Sequence, residues 1–372
     1  MTAQNKKELY GRERVYCWGY GRLGKLFAEH AEIDGFLDND AKKQGHADNG
    51  LPVYSLEDVL TKHPDRSFFI IIVTGQHSRE ISLQLEKQGL ERGKDFCTFR
   101  EWGVRIYEQT GELLQQYLEL YVTDRCTLKC KACAEMIPYV EHPEDCSLEN
   151  LKADIDAYFR VVDFLLEFRI LGGEPLIYSH LAELLRYLDE NYRTKIGRIK
   201  LLTNGTVIPN ENLLSTISDA HAELDISDYS ERIELARKQR AKLVDVLNHH
   251  NIDFAVMPMK SWVEMYHMPF RENVRTEDGH KSFFQTCDYG CRTIWQKKFY
   301  FCAIDCAVKR MGKIADLGSD CLSLDVQDKD AIARKLLDYD RGIFERGYLE
   351  FCKSCGGGMN CNHNAIPVAE QI

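Results

Sequence analysis

Three cysteines, Cys126, Cys130 and Cys133, fall within eight residues directly after the apolar stretch Leu118 to Val122. A CxxxCxxC spacing lets one loop turn three thiolates toward one face of a metal group, and three ligands leave a position open for chemistry. Cysteine density alone is no guide, because 14 thiols in 372 residues fall well short of a disulfide scaffold. Their distribution is the guide. Only Cys17 and Cys97 precede the triplet, whereas eight cysteines lie between Cys287 and Cys361. Clustered thiols at short, turn-compatible spacings point to metal, and a structural zinc on four thiolates is the alternative these spacings also permit.

Charge and hydropathy narrow the classes. Lys and Arg total 48 against 58 Asp and Glu, a formal charge of -10, which argues against a dedicated nucleic-acid binder. The longest wholly apolar run, Phe68 to Val73, is far below the ~20 residues a membrane span requires. Met1 to Arg14 is charged and lacks the apolar core of a secretory signal, so a cytoplasmic protein is expected.

Strands alternate with helices along most of the chain, which implies parallel pairing and an α/β fold. Val15 to Trp18, Ile33 to Leu37 and Phe68 to Val73 read as strands, with helices over Lys25 to His30 and Ser78 to Gln88. A second series begins at Leu118 to Val122. Its further strands are Phe168 to Leu171, Ile199 to Leu202, Leu224 to Ile226 and Phe254 to Met257. Helices over Leu148 to Phe164, His180 to Tyr192 and Arg232 to His249 lie between them. Five βα-type units are clear, and no sixth. Polar or glycine-rich residues stand at the strands' C-terminal ends: Gly172-Gly173-Glu174-Pro175, Thr203-Asn204-Gly205 and Ser227-Asp228. Barrels of this kind place their chemistry there. The expected organisation is a parallel α/β domain over residues 1–108, a partial (β/α)5-6 TIM-type barrel over 109–280 and a cysteine-rich domain over 281–372.

The barrel segment resembles the radical SAM superfamily over about residues 116 to 260. The resemblance implies that Cys126, Cys130 and Cys133 hold a [4Fe–4S] cluster whose open iron chelates S-adenosylmethionine. It further implies that the turn Gly172, Gly173, Glu174, Pro175 meets the methionine moiety, and that Asn204, Ser227 and Asp228 lie near the ribose and sulfonium. Ala132 stands where many members carry an aromatic residue. Reductive cleavage of S-adenosylmethionine in such enzymes yields a 5′-deoxyadenosyl radical that abstracts hydrogen from a substrate. The resemblance also implies an electron donor such as flavodoxin or ferredoxin.

The C-terminal cysteines resemble the twitch and SPASM extensions of the same superfamily, which carry auxiliary [4Fe–4S] clusters. Cys352 and Cys355 form a CxxC turn, and Cys291 and Cys302 bracket the apolar strand Phe299 to Phe301. These four are the expected ligands of a second [4Fe–4S] cluster, with Cys287 and Cys361 in reserve. Ala365 occupies a position where a full SPASM pattern requires cysteine, and Lys297 one where the hairpin usually has glycine, so a one-cluster twitch is the better fit.

Gly19, Gly21 and Gly24 form a GxGxxG turn between a strand and a helix, with Asp38 ending the next strand. That context suits a nucleotide, with the glycines admitting phosphate to the helix N-terminus and Asp38 accepting ribose hydroxyls. Residues 12 to 100 are similar to a small Rossmann-like domain attached to sugar-modifying proteins; a packing or dimerising domain is the alternative. The expected substrate is a sugar-containing or nucleotide-linked small molecule that is oxidised or epimerised. A peptide substrate is the competing reading, and a zinc-stabilised nucleotide-binding regulator the non-enzymatic one. For epimerisation, Cys146, Cys306 and Cys321 are candidate hydrogen donors. No general base is singled out, and His142, His180 and His267 read as surface or packing residues.

Overall fold

The computed structural model describes residues 10–75, 77–287, 290–314, 319–326 and 328–372. The chain divides into two compact units, Met1–Gln116 and Tyr117–Ile372.

In the first unit, β1 (Arg14–Trp18) is followed by α1 (Arg22–His30), β2 (Gly35–Leu37), β3 (Ala47–Asp48), β4 (Leu51–Tyr54) and α2 (Leu56–Lys62). Then come β5 (Phe68–Ile72), α3 (Ser78–Lys87), β6 (Phe96–Thr98) and α4 (Phe99–Thr110). The sheet runs β3-β4-β2-β1-β5-β6, with β1 parallel to both β2 and β5. Strand order therefore reverses beside β1, the kind of point where open α/β sheets leave a crevice. The run of five apolar residues in β5 is buried throughout, as a central parallel strand requires. Capping boxes fix two helix starts, Ser55 with Asp58 for α2 and Thr98 with Glu101 for α4.

The second unit begins within β7 (Leu114–Tyr121), followed by the cysteine loop, α5 (Leu148–Val161), β8 (Phe164–Leu171), α6 (Leu181–Tyr192) and β9 (Ile196–Thr203). Next are α7 (Glu211–Asp219), β10 (Ala222–Asp228), α8 (Glu234–His249), β11 (Phe254–Pro258) and β12 (Trp262–Val263). The cysteine-dense remainder contains α9 (Glu277–Thr286), β13 (Thr293–Trp295), β14 (Lys298–Tyr300), α10 (Ala303–Arg310), β15 (Cys321–Ser323), α11 (Lys329–Asp340) and β16 (Ala365–Ile366). Strands β7 to β11 lie side by side in chain order, the sequence of a TIM-type barrel rather than of a doubly wound sheet.

The sixth parallel position, absent from the sequence reading, is filled from the far end of the chain. β13 pairs in parallel with β7, and the antiparallel strands β14 and β15 continue the sheet. The segment from residue 281 is thus built onto the barrel sheet. The β13–β14 turn places Gln296 and Lys297 at φ 52° and 54°, without glycine. The Asp154 carboxylate accepts the backbone N–H of both, at 3.1 and 2.5 Å, and holds the turn.

Residues 162–164 correct one helix boundary. The expected helix to Phe164 stops at Val161, and Phe164 opens β8. The first half of this strand is hidden in the sequence because Glu167 and Arg169 interrupt its apolar run. Both charges belong to a buried ladder across one face of the sheet. Arg169 meets Glu119 at 3.4 Å and Glu167 at 2.6 Å, and Lys200 meets Glu167 at 2.8 Å and Asp225 at 3.1 Å. Alternate residues Leu166, Phe168 and Ile170 face the other way and are fully buried. No helix among the described residues is long and apolar enough to cross a membrane.

Candidate active site

The cysteine triplet follows β7, and its thiols pack against an apolar cluster. Leu128, Cys130, Ile233, Ala236, Val368 and Ala369 form it, with Cys126, Cys133, Tyr229 and Trp262 packed against them. Cys126 Sγ accepts from the Leu128 N–H at 3.4 Å and from Asn204 Nδ2 at 3.5 Å; Cys130 Sγ accepts from Gln371 Nε2 at 3.3 Å. Burial pushes the thiols up, Cys126 to about 11 and Cys133 to about 12, so iron must displace protons to bind there. Three soft donors on one loop, N–H groups aimed at two of the sulfurs and apolar walls fit a [4Fe–4S] cluster. Lys129 and Lys131 beside the triplet are exposed, and Ala132 is buried.

The Gly172–Pro175 turn presses against that loop. A Cβ on Gly173 would stand 2.2 Å from the Arg125 carbonyl oxygen and 2.9 Å from Cys126 Cβ; one on Gly172 would stand 2.8 Å from the Thr123 oxygen. The Gly173 and Glu174 N–H groups donate to Thr123 and Arg125 at 2.7 and 2.8 Å. Those N–H groups are spent, so the turn would offer an ammonium its carbonyl oxygens. Glu174 is wholly buried. Its carboxylate accepts from the Leu176 N–H (3.1 Å), Thr203 Oγ1 (2.8 Å) and the Asn204 N–H (2.9 Å). Burial raises it to about 7 despite these donors. Its side chain is a tie between two strand ends rather than a surface for ligand.

Asn204 lies against the cluster loop, where its Nδ2 also reaches Thr127 Oγ1 at 3.1 Å. Asp228 is held by Arg240 of α8 and accepts the Ser230 N–H at 3.0 Å. Burial alone would raise that carboxyl, but Ser230 and Arg240 together hold it below its ordinary value. Ser227 is hydrogen-bonded to the buried Tyr229 side chain.

Cys302, Cys352 and Cys355 line one cavity, and the fourth cysteine on its wall is Cys287, with Gly357, Gly358 and the rings of Phe283, Phe284 and Phe301. The Gly357 N–H donates to Cys355 Sγ at 3.2 Å and the Gly358 N–H to Cys287 Sγ at 3.4 Å. Cys291, expected here, lies elsewhere: its buried thiol hydrogen-bonds Glu119 beside Arg169. The hairpin pairs Thr293 with Tyr300, and Cys291 and Cys302 both lie beyond its ladder, which therefore does not bring their side chains together. The place is taken by Cys287, one of the two reserve ligands, at the end of α9 just beyond Phe283 and Phe284. Cys361 sits behind Gly357, where a Cβ would meet its sulfur at 2.3 Å. Among the described residues no three His, Cys, Asp or Glu side chains close on a single ion. Four soft thiols around an apolar cavity, two with N–H donors, fit a second cluster.

A second, narrow pocket lies at the barrel end, lined by Glu119, Tyr121, Glu135, Leu171, Cys306 and Arg310 among others. Arg310 of α10 stacks on the Tyr121 ring, 3.2 Å from its centre, and its Nη2 lies 3.8 Å from Glu135. That buried nitrogen has no hydrogen-bond partner among the described residues. Neither Arg310 nor this cavity was legible beforehand; the charged positions 119, 167, 169, 200 and 225, alternating within strands, were the available sign.

In the N-terminal unit, Gly19 (φ +124°) and Gly24 serve the turn, a Cβ on Gly24 meeting the Gly19 oxygen at 1.8 Å. Gly21 faces open space at the start of α1. Asp38 does not await a ribose: its carboxylate accepts the Tyr20 N–H and Lys43 Nζ, each at 3.0 Å, and the Asp40 N–H at 2.9 Å. Cys17 and Cys97 are buried thiols pushed far up by burial. Cys146 and Cys321 do not line the barrel-end cavity.

Residues 120–250 match the Radical SAM superfamily. That segment therefore carries a Radical SAM domain, and the family of that domain uses a [4Fe–4S] cluster and S-adenosylmethionine. It is 37% identical over 91 residues to a GTP 3′,8-cyclase of Ectopseudomonas mendocina, covering 24% of this chain and 26% of that one. The chain thus matches about a quarter of that relative's length. A GTP 3′,8-cyclase 1 of Mycobacterium tuberculosis is 25% identical over 237 residues, covering 58% and 64% of the two chains. Among solved structures, anSMEcpe with bound AdoMet and a Kp18Cys peptide is similar at a TM-score of 0.42 and 13% identity, over 66% of this chain and 90% of that one.

Proposed function

We propose that this chain oxidises an oxygen-rich small molecule, sugar-containing or nucleotide-linked, at the barrel-end cavity. When bound, the cluster and S-adenosylmethionine supply a 5′-deoxyadenosyl radical that takes hydrogen from the substrate. Cys126, Cys130 and Cys133 hold that cluster, and the Gly172–Pro175 turn orients the cofactor. Cys287, Cys302, Cys352 and Cys355 hold a second one, placed to accept an electron.

The observation that carries this reading is α10. Its N-cap is Cys302, on the four-cysteine cavity, and its other face presents Cys306 and Arg310 to the barrel-end cavity. One helix therefore joins the electron acceptor to the space for substrate. Arg310, ion-paired with Glu135, keeps an Nη2 without a hydrogen-bond partner among the described residues, suited to a hydroxyl, carbonyl or carboxylate oxygen. The nucleotide-linked class draws support from the GTP 3′,8-cyclases named above. The N-terminal unit adds little, because Asp38 would have to give up Tyr20 and Lys43 to bind a ribose.

The test is release of 5′-deoxyadenosine by anaerobically reconstituted protein with reductant, S-adenosylmethionine and a panel of nucleotide sugars, nucleotides and short peptides. Stimulation by a nucleotide-linked compound supports the substrate class, and stimulation by peptides alone removes it. Cys306 favours a second outcome, epimerisation, because its thiol is the one of three candidate donors that lines the cavity. Solvent deuterium in the product, lost in Cys306→Ala, would select epimerisation over oxidation.

A further inference from the structure

Residues 369–372 lie antiparallel against the cluster loop. The Lys131 N–H donates to the Glu370 carbonyl at 2.7 Å, the Ile372 N–H to the Lys129 carbonyl at 3.0 Å, and Cys130 bridges Gln371. The Gln371 side chain completes the clasp. Its Oε1 accepts the Lys129 N–H at 2.8 Å, while its Nε2 donates to the Ala369 carbonyl at 2.7 Å and to Cys130 Sγ at 3.3 Å. The amide's orientation is settled by its partners, since the end facing Lys129 must accept and the end facing Ala369 must donate. An N–H group is therefore aimed at the sulfur. Cys130 is buried, and Val368 and Ala369 exclude water on the same side.

We propose that Gln371 is a positioning residue for the barrel cluster, holding Cys130 and raising the cluster's reduction potential through its N–H···S bond. This deepens the radical SAM reading and rests on it. A hydrogen bond to a ligand sulfur stabilises the more negative, reduced cluster, and it acts most strongly where water is excluded. The backbone bridge between residues 129–131 and 370–372 does not depend on the side chain, so substitution at 371 removes the N–H donor and leaves the clasp.

The experiment uses the full-length reconstituted protein and two neutral variants without a donor, Gln371→Met and Gln371→Ala. Iron and acid-labile sulfide are measured first. The midpoint potential of the barrel cluster is then read by electron paramagnetic resonance, this cluster being the one whose spectrum changes on adding S-adenosylmethionine. Both variants are expected to keep iron and sulfide at the wild-type level and to shift the midpoint in the negative direction. An unchanged midpoint in both overturns the proposal. Loss of the cluster from both, with wild type loaded, also overturns it, because Gln371 would then serve assembly rather than potential. Wild-type protein without sulfide would overturn the radical SAM reading itself, a result distinct from either.

Discussion

The backbone N–H of Asn204 donates to the buried carboxylate of Glu174 across 2.9 Å, tying the end of β9 to the turn after β8. Through that turn it also reaches the cysteine loop, since Gly173 packs on Arg125 and Cys126. Three strand ends are thus fixed to one another before any cofactor binds, which is the preorganisation a cluster site needs.

Glu174 gives this tie a pH dependence. Its folded value is raised to about 7, above that of the unfolded chain, so the folded state binds the extra proton. The stability it contributes is complete below its unfolded value and is lost as pH rises through about 7. A glutamine at this position does not titrate and leaves one N–H unaccepted, at a cost of about 1–3 kcal/mol. Glu174→Gln is therefore expected to be less stable at pH 5, with the gap to wild type narrowing toward pH 8. Denaturant midpoints across that range check it, and a constant gap would contradict the assignment.

The two glycines of the turn should rank by their clearances. Gly173→Ala must move backbone next to Cys126 and is expected to lose the barrel cluster's iron, with overpacking costing about 1–3 kcal/mol or more. Gly172→Ala meets only Thr123 and should lose less. Gly21→Ala, with open space around it, should leave iron content unchanged. Iron assays on the three variants would show the order.

Cys287 and Cys291 separate the two possible ligand sets. Cys287→Ser is expected to lose about four irons per chain, one cubane's worth. Cys291→Ser should keep them, its hydroxyl still able to donate to Glu119. The reverse result would return Cys291 to the ligand set.

Arg310→Met should retain iron and sulfide while weakening substrate-dependent release of 5′-deoxyadenosine. A hydrogen bond from a charged donor is worth about 1.5–3 kcal/mol, so the loss in kcat/KM should be about tenfold or more. Equal rates for variant and wild type would remove Arg310 from substrate binding.

Much of this architecture is legible in the residues, for reasons that differ by element. The triplet Cys126, Cys130, Cys133 and the Gly172–Pro175 turn are local patterns, and local patterns survive translation into structure. β13 was not found because a three-residue strand carries no periodicity, and its partner β7 lies far off in the chain. β8 was shortened because Glu167 and Arg169 look like surface residues until their partners Glu119 and Lys200 are known. Cys287 stands only as a reserve in the sequence for a related reason: spacing does not show where its side chain aims, which depends on where α9 ends. Gln371 carried no sign at all, being a polar residue whose meaning comes from the loop 241 positions away.

We propose that two sets of thiols hold two iron–sulfur clusters, one of them open to S-adenosylmethionine. Iron, acid-labile sulfide and zinc in anaerobically purified protein, with and without the combined Cys126→Ala, Cys130→Ala and Cys133→Ala substitutions, test it most directly. The account predicts about eight irons and eight sulfides per chain, falling to about four of each in the triple variant. Zinc without sulfide in both proteins would contradict it.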